Sequence, residues 1–167
     1  KRQGVISGEQ FVDECQVESD LELLLPATYV TGSSERMLLY RELDSLTLDK
    51  DVEAFRNRLI DRFGPVPSET EELLRIVPLR RLAARLGAEK VFLKGGRMSL
   101  FFISNPESPY YQSQAFGKVI AYMMKYTRRC DLREQNTRRS MLVKDVKNVE
   151  TAVGVLQEIV AMQVEEG

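Results

Sequence analysis

A chain of 167 residues is long enough for one domain with a substantial core, one that removes about 70% of the unfolded surface from water. Charged residues at 29% and hydrophobic residues at 43% are ordinary globular values that exclude a disordered chain. No apolar run approaches the ~18 residues of a bilayer span, and Lys1-Arg2-Gln3-Gly4 leads into no signal-type apolar segment. The expectation is therefore a soluble, untargeted, cytoplasmic protein with no membrane partner.

Residues 1–13 lack hydrophobic periodicity, contain Gly4 and Gly8, and read as a linker or arm, which leaves 14–167 as the domain proper. From Cys15 to Leu25, Val17, Leu21, Leu23 and Leu25 alternate with polar neighbours, the pattern of a half-buried strand. Gly32-Ser33-Ser34 offers a helix start, and Met37, Leu38, Tyr40, Arg41 and Leu43 predict a helix ending near Thr47. A second helix begins at Asp49, with Val52, Phe55, Leu59, Ile60 and Phe63 as its inward stripe and Arg56, Asn57 and Asp61 directed elsewhere. It stops at Gly64, expected in a left-handed conformation, and Pro65 and Pro67 lack the amide donors to resume it.

Ser68 followed by Glu71 has capping-box spacing and opens a third helix toward Gly87, in which Pro78 predicts a kink or a break. Residues 89–94 and 97–103 flank Gly95-Gly96 as a hairpin with a two-residue turn. Beyond a loop at 104–109, the pattern predicts a helix at 110–126, strands at 130–134 and 140–144, and a terminal helix at 148–162 with Val149, Val153, Leu156 and Val160 as its stripe. Strand pairs separated by groups of helices give an α+β fold: a single domain with a small antiparallel or mixed β-sheet covered by helices.

Absent residues narrow the chemistry. The chain has no histidine, which removes the commonest general base and metal ligand. No phosphate loop occurs, since Lys94-Gly95-Gly96-Arg97 is too short and lies between strands. Cys15 and Cys130 form neither a metal-spaced pair nor a redox motif and are expected as free thiols. The carboxylates Asp49, Asp51, Glu69, Glu71 and Glu72 fall in first turns of predicted helices, where they complement the macrodipole. No catalytic, cofactor-binding or metal-binding residue is assigned.

The net charge of −1 conceals a division. Residues 1–72 carry 8 Lys/Arg against 16 Asp/Glu, net −8, and residues 73–167 carry 16 against 9, net +7. Either the halves pack against each other or one face serves a partner. The basic run Arg75, Arg80, Arg81, Arg85, Lys90, Lys94 and Arg97, in which Arg81 and Arg85 are four apart on a helix, and a second cluster at Arg128, Arg129, Arg133, Arg138 and Arg139 are the weak candidates for nucleic-acid contact. Aromatic residues are not interleaved among these cations, so single-strand recognition is not indicated.

Three segments carry a family resemblance: Leu25-Pro26-Ala27-Thr28-Tyr29 with Arg36, Tyr40 and Arg41; Leu59-Ile60-Asp61-Arg62-Phe63-Gly64-Pro65; and Leu79-Arg80-x-x-Ala83-x-x-Leu86-Gly87. In order and spacing they resemble the C-terminal domain of bacterial transcription-repair coupling factors, over roughly residues 14–102. The resemblance implies an α+β, non-catalytic, autoinhibitory protein-interaction domain. Its parent would be an ATP- and Mg-dependent double-stranded DNA translocase that displaces stalled RNA polymerase and recruits the excision-repair protein UvrA. The intramolecular partner implied is the parent's N-terminal UvrA-binding region, and the implied contact residues are Arg58, Asp61 and Arg62. Arg58 departs from the family pattern, in which Glu often stands there, so a compensating change is expected in any partner surface. The alternative is a DNA-contacting accessory domain of the motor that uses the basic second half.

Overall fold

Val91 and Leu93 on one strand, and Met98, Leu100 and Phe102 on the next, alternate with more exposed residues, so one face of the sheet is buried and the other is not. The computed structural model describes residues 11–164. Its sheet contains β1 (Gln16–Ser19), β2 (Ala88–Lys94), β3 (Arg97–Phe102), β4 (Cys130–Gln135) and β5 (Arg138–Val143), in the order β1-β2-β3-β5-β4. β1 runs parallel to β2 and the other pairings are antiparallel, which makes the sheet mixed and the fold α+β. The helices are α1 (Ser33–Ser45), α2 (Asp49–Phe63), α3 (Ser68–Leu74), α4 (Ile76–Arg85), α5 (Gln114–Lys125) and α6 (Val149–Val160).

Two apolar clusters divide the interior. The larger joins the inner sheet face to Leu79, Leu82 and Ala83 of α4, Phe116, Val119 and Tyr122 of α5, and Ala152, Leu156 and Ile159 of α6. The smaller gathers Leu25, Val30, Leu43, Phe55, Leu59, Leu74 and Val77 among α1, α2, α3 and the start of α4.

Polar contacts join the lobes. Glu72 on α3 accepts from the backbone N–H groups of Val149 at 2.6 Å and Glu150 at 3.1 Å, satisfying two of the orphan donors at the start of α6. Arg80–Asp44, Arg81–Asp49 and Lys90–Glu18 pair cations of the basic half with carboxylates of the acidic half, so the charge division is in part spent internally.

Several boundaries differ from the sequence reading. The break at Pro78 falls at Arg75, and Pro78 sits in the first turn of α4, where its missing N–H costs nothing. The strand from Cys15 ends at Ser19, whose hydroxyl accepts from the N–H of Leu21 in place of a ladder bond. Ser68 lies inside α3 rather than capping it, and Glu71 is held by Arg56 instead of closing a capping box. The helix expected at 110–126 is a 3-10 turn at Pro109–Gln112 followed by α5, because the Ser113 hydroxyl accepts from the N–H of Phe116 and starts a new helix. On α6 the buried set is Val149, Ala152, Val155, Leu156 and Ile159, with Val153 and Val160 only partly covered. Gly64 has a positive φ of 90° but an extended ψ of −165°, so it ends α2 without forming the left-handed cap. Of the expected arm at 1–13, residues 1–10 lie outside the described residues; Phe11 packs on Tyr110 and Val12 enters the main cluster, so the packed domain extends before residue 14.

At Gly87 the backbone has φ +86°, and an added Cβ would stand 2.1 Å from the Tyr110 ring, whose hydroxyl donates to the Leu86 carbonyl. Gly87→Ala is expected to lower stability by roughly 2–5 kcal/mol through backbone strain plus overpacking. Gly154 lies in α6 with open space around it, and Gly154→Ala should raise stability by about 0.5–1 kcal/mol. Urea unfolding midpoints read both signs.

Arg56 donates to both carboxylate oxygens of Glu71, at 2.9 and 2.8 Å, and this contact holds the Glu71 carboxyl below its ordinary pKa. Because the folded value is depressed, the contribution is complete above the unfolded pKa of about 4.3 and is lost as pH falls through the folded value. Glu71→Gln should therefore cost about 0.5–1 kcal/mol at neutral pH, and the gap from the parent chain should close in acid unfolding series.

Candidate interaction surface

The segments that carry the family resemblance form the frame of the α1–α2 lobe. Pro26 opens a turn whose carbonyl accepts from the N–H groups of Tyr29 and Val30, both at 2.9 Å. The Tyr29 hydroxyl donates to the Gly64 carbonyl at 2.8 Å while its ring rests 5.7 Å from that of Phe63. Arg36 donates to the Val30 carbonyl at 2.7 Å, and the Tyr40 hydroxyl accepts from the N–H of Leu25, also at 2.7 Å. Turn, helix start and helix stop are thereby locked together, and α1 and α2 present a fixed outer face.

Arg58 and Arg62 lie on that face one helical turn apart. Each reaches across to α1: Arg58 pairs with Glu42 and Arg62 with Glu35, while their side chains remain 55% and 56% exposed. Arg58 thus has a carboxylate partner within the chain, on α1. Arg58 also lies over the Phe55 ring and Arg62 over that of Phe63, 5.5 and 4.8 Å from the ring centres. Asp61 is exposed, and its side chain makes no ion pair among the described residues. The structure brings the three together on one surface, with two of them engaged within the chain. Exposed pairs of this kind are worth about 0–1 kcal/mol each and exchange readily for other partners.

Residues missed in the sequence complete the surface. Met37 and Leu38, which helped to indicate the helix, are 58% and 62% exposed. Leu38 is three residues after Glu35 and four before Glu42, which places it on the helix side between the two ion pairs. The residues of α1 that pack inward are Leu39, Tyr40 and Leu43, with Leu46 just beyond its end.

Of the basic candidates, Arg81 and Arg85 lie on α4, and Arg128 and Arg129 in the turn between α5 and β4. Arg81 is bidentate to Asp49 at 2.9 and 3.1 Å and also donates to the Thr47 carbonyl. Arg129 donates to the Lys144 and Asp145 carbonyls. Arg85 and Arg128 are exposed on different elements. Aromatics do stand beside one of the cations of the basic run, Lys90, contrary to the sequence expectation, because strand register brings them onto its face. Lys90 pairs with Phe101 and Phe101 with Ser140, while Phe92 pairs with Ser99, so both phenylalanines share the outer sheet face with Lys90.

No group of three His, Cys, Asp or Glu is arranged to hold a metal among the described residues, and none of their helices is long and apolar enough to cross a membrane. Both thiols are free and buried; burial pushes Cys15 up to about 12 against a smaller opposing effect of Arg80, and it raises Cys130 as well. Neither is a thiolate nucleophile near neutral pH.

A family model described as the TRCF domain matches residues 19–113. The chain is 30% identical to a transcription-repair-coupling factor of Rickettsia bellii over 132 residues, which is 78% of this chain and 11% of that protein. It is 25% identical to one of Staphylococcus haemolyticus over 134 residues, 77% of this chain and 12% of the relative. The chain therefore spans about a tenth of the length of these curated relatives. A crystal structure of the C-terminal domain of transcription-repair coupling factor superposes with a TM-score of 0.66 at 17% identity, covering 88% of this chain and 93% of that one, a likeness of fold. With the family model covering more than half of its residues, the chain belongs to the TRCF domain family of transcription-repair coupling factors.

Proposed function

We propose that this chain is a non-catalytic regulatory domain that docks through the α1–α2 face onto another protein surface. The observation that carries this reading is the exposed Met37–Leu38 pair set beside the Arg58–Glu42 and Arg62–Glu35 bridges. Such a surface has an apolar anchor and a charged rim that exchanges partners at low cost, the anatomy of a reversible contact between domains. Asp61 and Arg41 add charges that are exposed and make no side-chain ion pair in the described residues.

The partner in this reading is the N-terminal UvrA-binding region of the same parent protein. Docking masks that region, and release exposes it when an ATP- and Mg-driven motor elsewhere in the parent engages double-stranded DNA and stalled RNA polymerase in the cytoplasm. Regulation is then a population shift between docked and released states, and its range is set by the difference in affinity between them.

In the full-length parent, Leu38→Asp combined with Asp61→Arg should raise the affinity for UvrA by about 5- to 150-fold, the usual span of a coupling energy. In trans, capture of the N-terminal region by this 167-residue chain should weaken with the same substitutions. UvrA affinity that stays unchanged in a folded double variant would remove the α1–α2 face from the mechanism.

A further inference from the structure

The sheet has a second exposed surface, independent of the α1–α2 face. Its inner side is covered by α4, α5 and α6, while the outer side carries a shallow cavity of about 730 Å³. Phe92, Phe101 and Leu142 form its apolar floor, and Lys90, Arg133 and Arg138 stand around it. No carboxylate is among the described residues lining this cavity. The Phe92 and Phe101 rings meet edge to face, 5.6 Å between centres. Lys90 Nζ lies 4.5 Å from the centre of Phe92, and the Arg138 guanidinium 5.7 Å from that of Phe101.

Two features set the chemistry of the occupant. The apolar floor is small and interrupted by Ser99 and Ser140, so it does not offer the continuous apolar stripe that an amphipathic helix would need. Each cation has a carboxylate partner: Lys90 pairs at 2.9 Å with Glu18, the register neighbour of Phe92, Arg138 with Glu89 at 3.1 Å and Arg133 with Asp131 at 3.9 Å, all partly exposed and therefore weakly held. Arg138 also keeps a buried Nε–H that donates to no group among the described residues. Planar apolar groups joined by repeating anions match this arrangement, since rings exchange for the cations on the phenylalanine faces while the cations move to the anions.

We propose that the outer face of the sheet binds single-stranded nucleic acid, with bases against Phe92 and Phe101 and phosphates against Lys90, Arg133 and Arg138. A sheet with aromatics on its central strands and helices behind it is a stacking platform of this kind. The site shares no residue with the docking surface, so the two readings stand or fall separately.

The test is fluorescence anisotropy of the 167-residue chain with labelled 12-nucleotide oligo(dT) and oligo(U), and with a 12-base-pair duplex, across a salt series. The expected result is binding at micromolar protein in low salt. Three phosphate contacts should give a slope of log affinity against log salt of about −2. Phe92→Leu and Phe101→Leu should each weaken binding about 5-fold or more. Lys90→Gln and Arg138→Gln should each make the slope shallower by about 0.7. The comparison of oligo(U) with oligo(dT) reads whether a 2′-hydroxyl contributes. Far-ultraviolet circular dichroism establishes that each variant is folded, and the two polar variants carry the test if a phenylalanine variant is not. Absence of binding to either oligonucleotide at about 100 μM protein in low salt overturns the proposal. Binding that folded phenylalanine variants leave unchanged, or a preference for duplex, overturns it as well.

Discussion

Pro78 has no N–H to give the Leu74 carbonyl, and its ring fills the space a continuous helix would need there, so residues 68–85 cannot form one rod. The chain breaks at Arg75, and both resulting helices gain from it. α3 is free to aim Glu72 at the first turn of α6, where one carboxylate meets two backbone donors. α4 lies between the two apolar clusters, giving Val77 to the smaller and Leu79 to the larger. The helical lobe and the sheet are thereby joined by packing as well as by charge.

The same arrangement accounts for the division of labour among the family's characteristic residues. Tyr29, Arg36, Tyr40 and Gly64 spend their polar groups on one another's backbone and fix the geometry of α1 and α2. Among the groups left facing outward are Met37, Leu38, Arg41 and Asp61, together with two exposed ion pairs. A rigid frame with weakly committed charges suits a contact that must both form and release, since little ordering entropy is spent and no buried charge is stranded on separation. Arg58 illustrates the economy: Glu42 balances its charge from inside the lobe, so a partner surface need not do so alone.

Local chemistry was legible in the sequence where a residue type permits few alternatives. Phe63-Gly64-Pro65 ended its helix at the expected place, and Gly95-Gly96 turned the hairpin with both residues at positive φ. Where hydrophobic residues crowd, periodicity alone did not choose a face. In α1, five of the seven residues from Met37 to Leu43 are apolar or aromatic, and tertiary packing selected Leu39 and Leu43 while leaving Met37 and Leu38 outside. α6 has the same ambiguity, which was resolved by burying Ala152 and Val155. Short hydroxyl bonds at Ser19 and Ser113 redirected the backbone on energies too small to read from a pattern. The outer sheet face stayed hidden because Phe92 and Phe101 become neighbours through register rather than through spacing.

The parallel pairing of β1 with β2 joins Gln16 to Lys90, whereas β2–β3 and β4–β5 are local hairpins. Loop closure favours the hairpins early and delays β1 until the helical lobe between the two strands has become compact. During that interval the outer edge of β2 is an unpaired ladder, the kind of surface that recruits strands from other chains. Glu89, Lys90 and Lys94 place three charges in that seven-residue strand, and two are cations that repel a second copy of the same edge. When β1 arrives, Glu18 neutralises Lys90 and the Asp20 carboxylate accepts from the N–H of Gly95, so charges that guard against aggregation during assembly become part of the finished joint.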